Sequence, residues 1–166
     1  MKTLIKLETY QAPIDHCFDL SRSIDLHVVS TKDSQEKAIA GRTSGLIELG
    51  ETVTWEARHF FITQNLTTKI TLYDRPCHFK DVMVKGAFDS MEHDHLFKSE
   101  NGRTIMTDIF LYSVPYGVLG SIFDKFILKR YMIRLLRHRN LVIKEAAESD
   151  GWMKFVITPT NRTGTC

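Results

Sequence analysis

Residues 91–117, MEHDHLFKSENGRTIMTDIFLYSVPYG, decide the fold of this chain. Two runs that alternate between polar and apolar residues flank Asn101-Gly102, which is the strongest short-range signal for a β-hairpin. Pro115 then ends the second run, because proline lacks the N–H that a strand donates to its neighbour. The segment predicts an antiparallel hairpin that is followed by a change of structure.

Four further strand-like runs precede this hairpin, at about 44–49, 51–61, 66–74 and 78–86. Gly50, Asp74-Arg75-Pro76 and Gly86 separate them, and these connections are too short for crossover helices. The six runs therefore predict an antiparallel meander. Upstream of it, the pattern predicts a strand at 3–10, short helices at 14–21 and 23–29, and a flexible loop at 32–42.

The region from Leu119 to about Glu148 contains no proline and, after Gly120, no glycine. Its apolar residues recur at helical spacing, which predicts one amphipathic helix of about 30 residues and about 45 Å. No other predicted element is long enough to cover the concave face of a curved sheet, and a straight helix on that face leaves a cavity. We expect one domain at 1–150 and a loosely ordered tail at 151–166.

The prediction is thus an α+β fold in which a curved antiparallel sheet wraps a long C-terminal helix. This order of elements resembles the helix-grip fold of the START, Bet v 1 and polyketide-cyclase superfamily, over about residues 1–148. The chain is also similar to a bacterial polyketide cyclase/dehydrase-like branch, also described as SRPBCC proteins, at 50–59, 74–76, 91–97, 107–108 and 115–120. The resemblance implies a ligand cavity and a cyclase, dehydratase or lipid-carrier role.

Composition excludes several other classes of protein. A net charge of +2 in 166 residues is too small for a dedicated nucleic-acid binder, and no apolar run is long enough to span a bilayer. Cys17, Cys77 and Cys166 lack CxxC spacing, which argues against a disulfide framework or zinc knuckle and favours a reducing cytoplasm. No nucleotide-binding or nucleophile motif is present, so we predict no cofactor.

Strand alternation assigns several polar residues to the same faces as apolar ones, and therefore to the cavity. His59, Asp81, His93, His95 and Asp108 are the polar members of these faces. Burying each of them costs roughly 1–3 kcal/mol unless it is hydrogen-bonded. The predicted cavity lining is Trp55, His59, Phe79, Asp81, His93, His95, Phe97, Asp108, Phe110, Tyr112, Phe123 and Phe126.

These histidines and aspartates have three interpretations that the sequence leaves open. They can satisfy one another across neighbouring strands, orient a ligand, or transfer protons, in which case His93, His95 and Asp108 are the candidate catalytic residues. His93 and His95 also have the spacing of β-sheet metal ligands, but a third ligand, His59 or Asp108, depends on an unknown register, and we predict no metal. Arg75, in a turn, is the candidate for an anion contact at the cavity mouth.

The predicted C-terminal helix has a run of seven cations without an acid: Lys125, Lys129, Arg130, Arg134, Arg137, Arg139 and Lys144. A solvated outer face explains such a run, and so does weak contact with an anionic membrane surface through Lys125, Lys129, Arg130, Arg134 and Arg137. The leading functional hypothesis is non-catalytic binding of a hydrophobic small molecule (lipid, quinone or polyketide-like). The alternatives are a cyclase or dehydratase that uses the His/Asp groups, and an interaction module that uses the basic helix.

Overall fold

A computed structural model describes residues 2–59 and 62–156 of the chain. The N-terminal strand β1 (Lys2–Tyr10) leads into two short helices, α1 (Ile14–Ser21) and α2 (Ile24–Ser30), and a 3₁₀ turn at Lys32–Ser34. Strands then follow one another: β2 (Lys37–Gly41), β3 (Thr52–His59), β4 (Ile62–Asp74), β5 (His78–Lys85), β6 (Ser90–Glu100) and β7 (Arg103–Ser113). The C-terminal helical region comprises α3 (Gly117–Phe123), a π-helical turn (Asp124–Leu128), α4 (Lys129–Ala147) and a 3₁₀ turn (Asp150–Lys154).

All seven strands form one antiparallel sheet in the order β1-β7-β6-β5-β4-β3-β2. The β6–β7 hairpin closes at Asn101-Gly102, as predicted, and both residues have positive φ (52° and 73°). The first strand crosses to the far edge and pairs with the last one. Because β1 pairs with β7, the start of the domain lies beside the strand that leads into the long helix.

The prediction was wrong at the start of the meander. Segment 44–49 contains an isolated bridge between Leu46 and Ser23 and no strand, whereas the predicted loop contains β2. Strand β2 is an edge strand with a bulge between Ala38 and Ala40, and most of its side chains are exposed. Its pairing rests on the backbone, so its side chains give little alternation to detect.

Residues 117–147 form the predicted long helix, with a π-helical turn that the sequence did not reveal. The helix begins close to the end of β7: a Cβ on Gly120 would lie 1.8 Å from the carbonyl oxygen of Pro115. Glycine is therefore required at this position. In the π turn, the buried carboxylate of Asp124 accepts a hydrogen bond of 2.5 Å from the Tyr112 hydroxyl of β7.

Two apolar clusters lie between the sheet and the helices. One surrounds Phe18 of α1 and includes Phe79, Phe97 and Met106 of the sheet. The other joins Met132 and Leu136 of α4 to the β6–β7 region. The chain after α4 returns to the first cluster, where Val156 is buried, so the first part of the predicted tail is packed; 157–166 lie outside the described residues.

The cysteines differ from one another in state. Cys17 is a free thiol in the core, and its burial raises its pKa to about 12. Cys77 is disulfide-bonded, so the expectation of reduced thiols fails at this position. None of the described helices has the combination of length and hydropathy that crossing a bilayer requires.

Candidate functional site

A cavity of about 630 Å³ lies between the sheet and the long helix. Its sheet wall comes from β3 to β7 and includes Trp55, Leu66 and Phe110. Its helical wall includes Met132 and Leu136 of α4. The expected container is present, and most of its lining is apolar.

The cavity opens where the start of β4 meets the β5–β6 and β7–α3 connections. Ile62, Ala87, Tyr116 and Phe123 line the cavity and are also exposed, and the exposed fraction of Tyr116 is 83%. Side chains that face both the cavity and solvent mark an opening. We call residues 114–127 the mouth segment, because the chain there forms one side of this opening.

The mouth segment exposes an unusual run of apolar side chains. Leu119 is 76% exposed, Phe126 59% and Ile122 51%, and the other exposed members are Tyr116, Val118, Phe123 and Ile127. Lys125, Lys129 and Arg130 are exposed beside them. Apolar patches flanked by cations are typical of surfaces that bind a membrane or another protein.

Four polar side chains from three neighbouring strands lie in or directly behind the cavity wall. Asp81 of β5 lies opposite His93 of β6, and His95 of β6 lies opposite Asp108 of β7. Because side chains alternate along a strand, these four point to the same side of the sheet. Asp81, His93 and His95 line the cavity, whereas Asp108 lies behind the two histidines and is fully buried.

The four side chains form a connected network, which we call the His/Asp cluster. His93 Nε2 donates to Asp108 Oδ1 (3.1 Å), and His95 Nε2 donates to Asp81 Oδ1 (3.2 Å). His95 Nδ1 makes a close charge contact of 2.7 Å with the same Asp108 oxygen. His93 Nδ1 is 3.9 Å from Asp81 Oδ1, which is beyond hydrogen-bonding distance.

Helix α4 completes the cluster with two residues that the sequence interpretation missed. Asn140 Nδ2 donates to the second oxygen of Asp108 (2.6 Å). Arg139 donates from Nη2 to the carbonyl of Ser21 (2.7 Å), and its Nη1 is 4.0 Å from Asp108. Arg139 was expected on the outer cationic face and is instead buried. Its spacing from Leu136 and Ile143 was the available signal, since both belong to the buried stripe of α4.

The cluster shifts the pKa of each member. Burial raises the pKa of Asp108, but hydrogen bonds from His93 and His95 outweigh it and hold the pKa well below its usual value. The pKa of Asp81 is also lowered, because the His95 hydrogen bond and nearby positive charges outweigh its burial. Burial lowers the pKa of His95, but the two carboxylates more than compensate and raise it; the pKa of His93 is lowered by burial and by the charge of His95. The pKa shifts of the two histidines are therefore opposite in direction.

The structure brings seven of the predicted lining residues to the cavity surface: Trp55, Phe79, Asp81, His93, His95, Phe110 and Phe123. The prediction was wrong for four others. Phe97 packs against Phe18 in the core, Asp108 lies behind the histidines, and Tyr112 is buried against Asp124. The backbone of His59 ends β3, and its side chain lies outside the described part of the structure.

Phe126 is the fourth predicted lining residue that the structure does not place at the cavity, and it points outward. A π-helical turn has i→i+5 hydrogen bonds, so it advances the helical phase by about one residue. Leu128, five residues after Phe123, therefore occupies the cavity face that Phe126 was expected to occupy. Regular helical spacing could not have predicted this shift.

Arg75 does not lie at the cavity mouth. Its guanidinium contacts Asp15 Oδ1 (3.0 Å) and Asp19 Oδ2 (2.8 Å) of α1, and a hydrogen bond to Asp19 raises its pKa. Asp19 also accepts from the buried Arg22 (2.9 Å). Arg75 therefore ties the β4–β5 turn to α1, where its charge is already compensated.

The cavity is also lined by a histidine that the sequence analysis did not single out. His27 of α2 lines the cavity and stacks on Trp55, with ring centroids 4.1 Å apart. Its Nε2 lies 3.4 Å from Glu36 Oε2. The short helix α2 has too few residues for periodicity to distinguish its inner face from its outer one.

Comparison with known proteins supports the fold. The chain is similar to the solved structure of TTHA0849 from Thermus thermophilus, with a TM-score of 0.72 and 14% identity over 88% of this chain and 97% of that one. A START superfamily protein from Mycobacterium smegmatis gives a TM-score of 0.65 at 10% identity (88% and 97%). Ginseng major latex-like protein 151 from Panax ginseng gives 0.65 at 13% identity (89% and 98%).

The chain has the helix-grip fold of the START and Bet v 1 superfamily. The fold expected from the sequence is therefore confirmed. No protein-family model matches the sequence, and no curated protein matches it. At 8–16% identity, the solved structures establish the helix-grip fold, and the function must be argued from the cavity of this chain.

Proposed function

We propose that the protein binds a hydrophobic small molecule in the helix-grip cavity. The observation that carries this proposal is the cavity of about 630 Å³ between sheet and helix. Sites for small ligands typically enclose roughly 300–1,000 Å³ and are lined mainly by apolar and aromatic side chains. Trp55, Phe79 and Phe110 supply aromatic walls of this kind.

The ligand has one polar end and a larger apolar body. The His/Asp cluster places Asp81 and His93 in a mainly apolar wall, where a ligand hydroxyl, carbonyl or similar group finds a partner. The remaining surface favours hydrocarbon or ring systems, because burial of apolar area is the main source of affinity in such a cavity. Lipids, quinones and polyketide-like molecules share this division.

The mouth segment provides a route to a membrane. Amphipathic surfaces insert apolar side chains roughly 5–10 Å into a bilayer, and the mouth segment exposes side chains of this kind. Lys125, Lys129 and Arg130 lie beside them, and each cation near an anionic bilayer contributes about 1 kcal/mol. We therefore propose that the protein exchanges its ligand at an anionic membrane surface, with the cavity opening facing the lipid.

The cyclase or dehydratase alternative has narrower support. Three of the four ring nitrogens in His93 and His95 are held against carboxylates at 2.7–3.2 Å. Within the described cluster, His93 Nδ1 is the nitrogen left without such a contact. Proton transfer to a ligand would therefore have to use His93, with Asp108 fixing its orientation.

A variant that reduces the volume of the cavity tests ligand binding. Ala57 is buried and lines the cavity, so Ala57→Phe places a ring in the ligand space. Ala40→Phe is the matched control, because Ala40 is exposed on edge strand β2. Native mass spectrometry and solvent extraction after purification should detect an apolar ligand with the unmodified chain and with Ala40→Phe, at roughly one per chain.

We expect Ala57→Phe to lose most of this ligand, because overfilled apolar space excludes it. Circular dichroism establishes that the variant is folded. Equal ligand content in folded Ala57→Phe and Ala40→Phe would contradict the proposal, and so would the lack of any apolar ligand together with failure to bind added fatty acids, quinones or aromatic polyketides.

A further inference from the structure

We propose that Asp81, His93 and His95 bind one first-row divalent metal ion at the cavity wall. One ligand atom from each of these residues lies within 4.8 Å of the other two. The site does not depend on the proposed hydrophobic ligand, because all three donors come from neighbouring strands. The sequence analysis predicted no metal because the third ligand depended on the register, and the register supplies Asp81.

The distances between the donor atoms fit a metal centre. Asp81 Oδ1 lies 3.2 Å from His95 Nε2 and 3.9 Å from His93 Nδ1. Two ligand atoms that are each about 2.1 Å from a metal ion lie about 3.0–3.4 Å apart at octahedral or tetrahedral angles. Rotation of the His93 ring towards Asp81 would shorten the longer of these two distances.

The groups behind the histidines strengthen the assignment. A histidine that binds a metal through one nitrogen usually donates its other N–H to a carboxylate or carbonyl, which fixes the ring. In this site the remaining nitrogens, His93 Nε2 and His95 Nδ1, both face Asp108 Oδ1, at 3.1 and 2.7 Å. Asn140 holds the second Asp108 oxygen at 2.6 Å. Asp108 is thus a positioning residue for both imidazoles.

The cavity side of the site is accessible to an exogenous ligand. Asp81, His93 and His95 all line the cavity, whereas Asp108 and Asn140 lie behind them. Three protein donors on one side leave the remaining coordination positions directed at the cavity. This is the arrangement of an open metal site rather than a closed structural one.

The donor set defines the class of metal. Two imidazoles and one carboxylate suit Zn²⁺, Fe²⁺ or Co²⁺, whereas Mg²⁺ and Ca²⁺ favour sites made of oxygen donors and Cu⁺ favours thiolates. A bound ion would present a Lewis acid to the polar end of a cavity ligand. The ion therefore adds a means of recognising a carbonyl, carboxylate or hydroxyl group.

Metal titration of the full-length chain tests this inference. The protein is stripped with a chelator and titrated with Zn²⁺ by calorimetry and with Co²⁺ by visible absorption, in the absence of added lipid. We expect one ion per chain and Co²⁺ bands that indicate mixed nitrogen and oxygen ligation. Asp81→Asn, which retains shape and partial exposure, should weaken binding at least about tenfold, as expected when a single donor or its support is lost.

Asp108→Asn should weaken binding about 10–100-fold without removing a ligand. The matched control is His78→Gln, because His78 pairs with Asp94 (2.7 Å) on the same strands but outside the cavity. This variant should bind like the unmodified chain. Thermal melts in chelator establish that each variant is folded.

The inference is overturned if the unmodified chain, stripped with the chelator, binds neither Zn²⁺ nor Co²⁺ in the micromolar range. It is also overturned if folded Asp81→Asn and His93→Gln both bind as tightly as the native chain, or if His78→Gln removes the signal. Because no lipid is added, the result separates this site from the proposed ligand binding: a chain that binds metal but retains no apolar molecule contradicts only the latter.

Discussion

The His/Asp cluster and the mouth segment belong to the same cavity, yet they reverse the usual placement of side chains in opposite ways. In the cluster, charged groups lie in the interior: Asp108 is fully buried and His95 is almost so. In the mouth segment, large apolar groups such as Leu119 lie in solvent. A fold stabilised by apolar burial would be expected to have neither.

The two regions also differ in what offsets the free-energy cost of burying charged groups or exposing apolar ones. Each member of the cluster has partners within the protein, and Asp108 is contacted by both histidines and by Asn140. In the described part of the chain, large apolar side chains of the mouth segment such as Leu119 and Ile122 face solvent, and insertion into a bilayer would offset the free-energy cost of exposing them. We therefore expect the cluster to contribute to the stability of the fold, and the proposed membrane contact is the reason we expect for the exposure of the mouth segment.

The largest effect is expected from breaking the cluster at its centre. Asp108→Ala leaves two histidines and Asn140 without their shared acceptor, and removing one partner of a buried charged network typically costs about 3–5 kcal/mol. Urea denaturation in the presence of chelator should show a loss of unfolding free energy of this size.

Glu92→Ala is the control on the opposite face of β6, where Glu92 contacts Lys80 at 3.3 Å in a solvent-exposed pair. Exposed pairs contribute about 0.2–1 kcal/mol, so its effect should be small. A loss of unfolding free energy below about 1 kcal/mol for Asp108→Ala would show that the cluster is not needed for stability. It would contradict the claim that the cluster contributes to the fold.

The next effect concerns the cations in and next to the mouth segment. Replacing Lys125, Lys129 and Arg130 by alanine removes about 3 kcal/mol of attraction to an anionic bilayer, which corresponds to about 100-fold in affinity. Flotation with phosphatidylcholine vesicles, with and without phosphatidylserine, measures this difference at low salt.

A triple variant of equal charge change is the control: Lys69, Lys98 and Arg103, which are exposed on β4, β6 and β7. Non-specific attraction would decrease similarly in both triples, and this outcome would contradict a docking surface at the mouth. Added salt should weaken the binding of the unmodified chain because exposed charges are screened.

The sequence predicted the elements whose pattern is strong and local. The β6–β7 hairpin follows from Asn101-Gly102 and two alternating runs, and the long helix follows from its apolar spacing. It could not predict β2, because an edge strand depends on backbone pairing with β3 rather than on buried side chains. Segment 44–49 shows the converse, because its strand-like sequence pattern is accompanied by a single bridge, from Leu46 to Ser23.

For the site, alternation correctly placed Asp81, His93 and His95 on the cavity side. Their partners could not be predicted from the sequence, because cross-strand register and the rotation of α4 are tertiary features. Arg139 shows this: in a run of cations it resembles a surface residue, although its position in the buried stripe indicated otherwise. Phe126 shows the reverse, since the π turn moved it from the expected inner face to solvent.

The smallest effect tests whether exposure of the mouth segment is functional. In Leu119→Ser combined with Ile122→Ser, two exposed side chains become polar, and the unfolding free energy should change by no more than about 0.5 kcal/mol per site. Vesicle binding should nevertheless fall about tenfold, because partial insertion of each side chain contributes a fraction of the roughly 1.5–3 kcal/mol that complete burial provides.

The chain offers a matched pair for this experiment. Ile5 and Leu7 on the outer side of β1 are similarly exposed, and Ile5→Ser with Leu7→Ser removes comparable apolar area far from the mouth segment in sequence. If both double variants leave vesicle binding unchanged, the mouth segment does not insert into lipid. If both weaken it equally, binding follows total surface hydrophobicity rather than position. A decrease confined to Leu119 and Ile122 means that apolar exposure at the mouth is used for docking, in contrast to the cluster, whose unusual placement is compensated within the fold.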